Sequence, residues 1–126
     1  MTETAKRLCD TYLEALQLGD LDKVANLFTR DGVVHSPLYG TLPARAFYEG
    51  LFAVTNRSET ALKRVLTNDE PGDSAIGLHF VYRWTLADGT PVTFEVVDII
   101  EVEEGTGLFK ALTILYDTAP LREAHA

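Results

Sequence analysis

Basic residues are scarce in this chain of 126 residues: 11 lysines and arginines stand against 19 aspartates and glutamates, a formal net charge of −8. Nucleic acid and anionic membranes are held through basic patches, so neither is expected as a partner. Cysteine occurs once, at Cys9, which excludes an internal disulfide and suits a reducing compartment. The three histidines, His35, His79 and His125, are scattered. There is no HExxH, no Cys/His cluster with metal spacing, no Gly-rich phosphate loop and no GxSxG elbow, so no metal and no cofactor is expected. No apolar run approaches the roughly 20 residues that span a bilayer, and the opening MTETAKRLCD lacks the apolar core of a secretion signal. The expectation is a cytoplasmic single domain over residues 1–126, long enough to bury a core.

The apolar spacing supplies the element order. Ala5, Leu8, Tyr12, Ala15 and Leu16 recur at helical spacing over 3–18, with Gly19 placed to end that helix. Asp20 can cap a second helix with the stripe Leu21, Val24, Leu27 and Phe28. An Asp31-Gly32 turn then feeds a short strand, 33-VVHS-36, and a third helix begins near Pro43. Beyond it the period falls to two, and 60–67, 74–86, 91–103 and 108–117 read as strands. Helices followed by a run of antiparallel strands predict an α+β domain, a curved sheet with the helices packed on one side.

One residue breaks the pattern. In 92-VTFEVVDIIEV-102 one face reads Phe94, Val96, Asp98, Ile100 and Val102, so Asp98 alone puts a carboxylate among apolar side chains. Asp88-Gly89 is a favoured pair for a two-residue type I′ hairpin. With that loop Asp98 falls opposite His79, Val96 opposite Val81 and Phe94 opposite Arg83. A loop centred on Gly105-Thr106 sets Asp98 against Thr113, Val96 against Leu115 and Phe94 against Asp117. These pairs share a face, and a slip of one residue would reverse them. The face so assembled, mostly apolar with a few convergent polar groups, has the character of a small-molecule pocket. Each polar member also has a structural reading: Asp98 paired to a cation, His79 a hydrogen-bonded strand histidine, Arg83 a rim charge, Asp117 a turn residue. Tyr39, Phe47, Phe52, Tyr82 and Trp84 are either core or the walls of an apolar site.

The segments 12-YLEALQLGDLDKVANLFTRDGVV-34, 87-ADGTPVTFEVVDIIEV-102 and 112-LTILYDTAPLR-122 resemble the nuclear transport factor 2-like superfamily, with ketosteroid isomerase and the SnoaL-like polyketide cyclases as the nearest comparisons. The resemblance implies a cone-shaped curved sheet wrapped around N-terminal helices. It also implies roles for two residues: Tyr12 matches the helix-1 tyrosine and Asp98 the strand aspartate. In the isomerase these form an oxyanion hole whose aspartic acid is kept protonated by its apolar site. The isomerase's proton-carrying aspartate falls on Ser36, and a serine hydroxyl is no base near neutral pH. The general base would then be His79 or Asp117, with His35 behind them because it points the other way. A close His79 would instead hold Asp98 ionised, as a dyad. An epoxide hydrolase arrangement of two acids and an arginine would need Arg83, Asp98 and Asp117 together.

The resulting expectation is a cofactor-independent isomerase- or cyclase-like enzyme acting on a small apolar carbonyl compound through an enol or enolate. The catalytic candidates are Tyr12, Asp98, His79 and Asp117; the ligand contacts are Val81, Arg83, Phe94, Val96, Thr113 and Leu115. The alternatives are a non-catalytic ligand-binding or dimerisation module and an epoxide hydrolase-like enzyme. The resemblance further implies a homodimer formed through the outer face of the sheet, where Val97 and Ile99 lie between Glu95 and Glu101.

Overall fold

The computed structural model describes residues 2–68, 70, 72 and 74–119. His125 and the end of the 112–122 segment lie outside the described residues. Helix α1 (Thr2–Leu18) and the short α2 (Leu21–Ala25) lead into strand β1 (Phe28–Ser36) and β2 (Gly40–Pro43). Helix α3 (Ala44–Ala53) follows, then β3 (Thr55–Thr67), β4 (Ala75–Leu86), β5 (Pro91–Val102) and β6 (Phe109–Leu115). The six strands form one open sheet in the order β2-β1-β6-β5-β4-β3. All pairings are antiparallel except β1 with β6, which is parallel, so the curved sheet is mixed and does not close into a barrel.

Local chemistry accounts for the helices. Gly19 N–H bonds back to the Leu16 carbonyl at the end of α1, and the Asp20 side chain accepts the Lys23 N–H at 3.1 Å to cap α2. The second helix is shorter than its stripe suggests, because Phe28 already belongs to β1. Asp31-Gly32 is no turn: it lies inside β1, where the pairing with β6 shifts between Phe28 and Val33. A side chain on Gly32 would sit 3.0 Å from the Phe109 carbonyl and 3.0 Å from Phe28, so the glycine permits the close approach of the two strands. The buried face of α1, with Ala5, Cys9, Tyr12, Leu13, Ala15 and Leu16, joins one core with Tyr48 from α3 and the inner side chains of the sheet.

Both hairpin registers differ by one residue from the sequence expectation, for two separate reasons. No described residue other than glycine has positive φ, so Asp88 cannot supply the first central position of a type I′ turn. Leu86 N–H instead bonds the Thr90 carbonyl at 2.8 Å, enclosing Ala87-Asp88-Gly89 as a three-residue loop with Gly89 at φ 91°. Asp98 therefore faces Leu78, Val96 faces Phe80 and Phe94 faces Tyr82. At the second hairpin Val102 pairs with Phe109 as the loop predicts, but Glu101 then pairs with Ala111, leaving Lys110 as a bulge. Past that bulge Asp98 faces Ile114 and Val97 faces Leu115.

These shifts correct half of the expected pocket. His79, Val81 and Arg83 lie on the outer face of β4, because their neighbours Leu78, Phe80 and Tyr82 hold the inner one. Thr113 and Leu115 lie on the outer face of β6 for the same reason. Asp117 is exposed beyond the end of β6, where its carboxylate accepts the Ala119 N–H at 3.0 Å, as a turn residue does.

Candidate functional site

The inner face of the sheet, α1 and α3 line a narrow cavity that opens to solvent. The helices contribute Tyr12 and Leu16 from α1 and Phe47, Tyr48 and Leu51 from α3. The sheet contributes Ser36, Phe80, Tyr82, Trp84, Phe94, Val96, Asp98 and Ile114, with Tyr39 and Tyr116 beside them. Of the expected site residues the structure thus brings together Tyr12, Asp98, Phe94 and Val96. Among the aromatics weighed as cavity walls, Tyr39, Phe47, Tyr82 and Trp84 line it and Phe52 does not.

Asp98 is 1% exposed, and neither carboxyl oxygen has a hydrogen-bond partner among the described residues. Burial pushes its pKa well above the ordinary carboxylate value. An ionised carboxylate left unpaired in such surroundings costs several kcal/mol, so burial favours the protonated form, which can donate as well as accept. His79 does not hold it ionised. Its Nε2 stands 3.3 Å from Glu95 on the outer face, and Glu95 also takes the Lys63 ammonium at 2.6 Å.

Tyr12 and Tyr48 meet hydroxyl to hydroxyl at 2.8 Å, their rings edge to face with centroids 6.2 Å apart. Desolvation raises both phenols well above their usual pKa, and a charge at Asp98 would raise both further. The three groups therefore share one electrostatic environment, and each is most stable neutral. Tyr48 was not singled out as a site residue from sequence; the available signal was its place beside Phe47 on the buried stripe of α3, continued by Leu51.

Two other polar groups of the walls are engaged within the protein. Tyr82 bonds Ser58 through its hydroxyl at 2.8 Å, and the Trp84 indole N–H donates to Thr55 at 2.7 Å. Ser36, at the position of the missing aspartate, does line the cavity, while His35 turns away and bonds Thr41 at 2.8 Å. Among the described residues the lining contains no histidine, lysine or arginine, and Asp98 is the one acid there. Arg83, Asp98 and Asp117 are not brought together. No cluster of three metal-ligating side chains occurs among the described residues, and no helix there is long and apolar enough to cross a membrane.

No curated protein matches the chain. Solved structures share its fold: PrhC from Penicillium brasilianum superposes with a TM-score of 0.81 at 14% identity, covering 97% of this chain and 85% of that one. The epoxide hydrolase/cyclase-like SalBIII, described in pyran ring formation of the polyether salinomycin, gives 0.78 at 12% identity over 94% of each chain. A protein from Catenulispora acidiphila with a ketosteroid isomerase-like fold, in complex with trimethylamine, gives 0.76 at 13%, covering 90% of this chain and 87% of that one. These likenesses establish the fold alone, one shared with ketosteroid isomerase-like structures. The model of the SnoaL-like domain matches residues 10–107, from the α1 face that carries Tyr12 to the hairpin beyond Asp98, and the chain belongs to that family.

Proposed function

We propose that this protein is a cofactor-independent enzyme of the isomerase or cyclase type that activates the carbonyl group of a small, largely apolar compound through an enol or enolate. The observation that carries the reading is the unpartnered carboxyl of Asp98, buried in an aromatic cavity that it shares with the Tyr12–Tyr48 phenol pair. A carbonyl oxygen seated between them would accept from the protonated Asp98 and from one phenol. Both donors sit in a water-poor site, where they gain most as negative charge develops on that oxygen. Each such donor typically contributes on the order of 10²–10³ in rate.

The absence of a base among the described lining residues refines the proposal. An isomerase must take a proton from carbon and return it to another carbon, which needs a positioned acceptor. A ring closure can proceed on acid help alone. The substrate's own enol carbon attacks the activated carbonyl carbon, the oxygen takes the Asp98 proton, and the proton released by the enol restores Asp98. The cavity favours that class of reaction. The same absence supports a second reading, a binding module that holds its ligand without turning it over.

Phenolic compounds test the donor pair because a bound naphtholate mimics an enolate. Titration with 2-naphthol, followed by its absorbance and by emission of Trp84, the sole tryptophan of the chain and a wall of the cavity, is expected to show binding. Asp98→Asn is expected to alter the bound naphthol's spectrum while the fold survives. No binding by the wild type at high micromolar naphthol would rule out the oxyanion site.

A further inference from the structure

Ser36 closes β1, and its Oγ accepts the backbone N–H of Leu38 and of Tyr39, each at 3.1 Å. A hydroxyl carries one proton and two lone pairs. The two amides take the accepting side, and Oγ donates to no described residue, so the O–H remains to be given away. Ser36 is 9% exposed and lines the cavity, which makes that proton a nearly desolvated donor facing the ligand space. Leaving such a donor unmatched costs free energy, and a ligand acceptor recovers it.

Its place relative to Asp98 follows from the sheet. His35 is in register with Thr113 on parallel β6, so the next step sets Ser36 beside Ile114, and Ile114 is also the residue opposite Asp98. Ser36 and Asp98 are thus two strand spacings apart, about 10 Å between Cα atoms, with the Ile114 side chain between them on a concave face. At the Asp98 end, one hydroxyl of the Tyr12–Tyr48 pair is spent on the other, which leaves a single phenolic O–H free to point at a ligand. An apolar floor therefore carries hydrogen-bond donors at both ends and, among the described residues, no basic group.

We propose that Ser36 is a specificity-determining donor, and that the substrate is a carbonyl compound bearing a second acceptor oxygen, as ketone, ester or ether, several bonds from the reacting carbonyl. This rests on the reading of the Asp98 end as a carbonyl site. It assigns Ser36 to recognition, where the isomerase pattern has a proton carrier.

Calorimetric titration with acetophenone, 1,3-diacetylbenzene and 1,4-diacetylbenzene tests the assignment on the whole chain. Beyond the statistical factor of about two for a symmetric ligand, one diketone is expected to bind the wild type about fivefold to tenfold more tightly than acetophenone, the worth of one hydrogen bond. Ser36→Ala is expected to abolish that preference. Ser36→Thr, which keeps a hydroxyl for both the turn and the ligand, is expected to retain it. If acetophenone binds but neither diketone is preferred, or if Ser36→Ala weakens both kinds of ligand equally, the role of Ser36 is overturned and the carbonyl site stands. If none of the three binds, both fall.

Discussion

The hydroxyls of Tyr12 on α1 and Tyr48 on α3 are 2.8 Å apart, and that contact ties the two helices together at the edge of a cavity holding an unpaired acid. One phenol donates to the other, and the accepting phenol has its own proton to offer. Mutations resolve which one faces the ligand. If Tyr12 does, Tyr12→Phe is expected to weaken 2-naphthol binding by at least about tenfold, since it removes the contacting donor from a desolvated site. Tyr48→Phe should weaken it by only a few fold, because it removes the group that polarises Tyr12. Equal stability losses with unchanged naphthol affinity in both variants would reduce the pair to a packing contact. The absorbance of bound naphthol separates the two cases.

Asp98 gives the protein an unusual pH dependence. Its carboxyl pKa is raised by burial in the folded state and returns to the ordinary value on unfolding. Above that ordinary value the unfolded chain releases the proton and the native state keeps it, so the native state binds more protons and stability falls as pH rises. The slope from this one group is about 1.4 kcal/mol per pH unit until the folded pKa is reached. The contribution is whole below the ordinary carboxylate pKa and is lost as pH rises from there through the raised folded value. Asp98→Asn carries no such linkage, so thermal melts from pH 5 to pH 8 should show the variant gaining on the wild type as pH rises. A constant difference between the two melting curves would mean that Asp98 is ionised in the native protein.

Ser36 occupies the place where the isomerase pattern puts its proton carrier, and the structure sets it on the cavity wall. Ser36→Asp keeps an oxygen for the Leu38 and Tyr39 amides and adds a carboxylate base facing the donors across Ile114. That variant is expected to conjugate a β,γ-unsaturated cyclic ketone about 10²–10⁴ times faster than wild type, the usual contribution of a positioned base. Growth of the enone absorbance measures it. A variant that binds the ketone at wild-type affinity without any gain in rate would show that the two ends of the cavity cannot act on one substrate.

What the chain discloses of itself depends on the length scale of each interaction. The periodicities of α1 and of the long strands are local, and they placed most elements and the inward stripe carrying Tyr12 and Asp98 correctly. The partners of Asp98 are set by a loop of three residues where two were expected, and by the bulge at Lys110. Neither alters composition or alternation, yet each exchanges one face of a strand for the other. His79 and Asp117 were lost from the site for that reason. Tyr48 came into view only in three dimensions, because its contact with Tyr12 spans 36 positions and two helices.

The outer cluster built around His79 is expected to be dispensable for the cavity. His79, Glu95 and Lys63 are joined on the solvent side, where the Lys63 contact holds the Glu95 carboxyl below its usual pKa. Exposed pairs of this kind add little stability, and none of the three lines the cavity. His79→Ala should therefore leave 2-naphthol affinity unchanged and alter stability by less than about 1 kcal/mol. A large loss of affinity, read in the same titration, would return His79 to the chemistry.

That outer face also offers a place for a second copy of the chain. Val97 is opposite Leu115 and Ile99 opposite Thr113, and Leu115 is 51% exposed. Val97, Ile99 and Leu115 make a short apolar patch there, flanked by Glu95 and Glu101 on β5 and by His79, which pairs with Val97, on β4. We propose that a homodimer buries this patch, as the resemblance to other proteins of the fold implies. A stable interface needs about 1,200 Å² or more, and a charge at its centre should prevent it. Ile99→Arg is expected to convert the dimer to monomer in light scattering, while naphthol binding persists because the cavity lies on the opposite side of β5. A wild-type monomer at working concentration would refute the pairing, and a dimer unaffected by Ile99→Arg would move it to another surface.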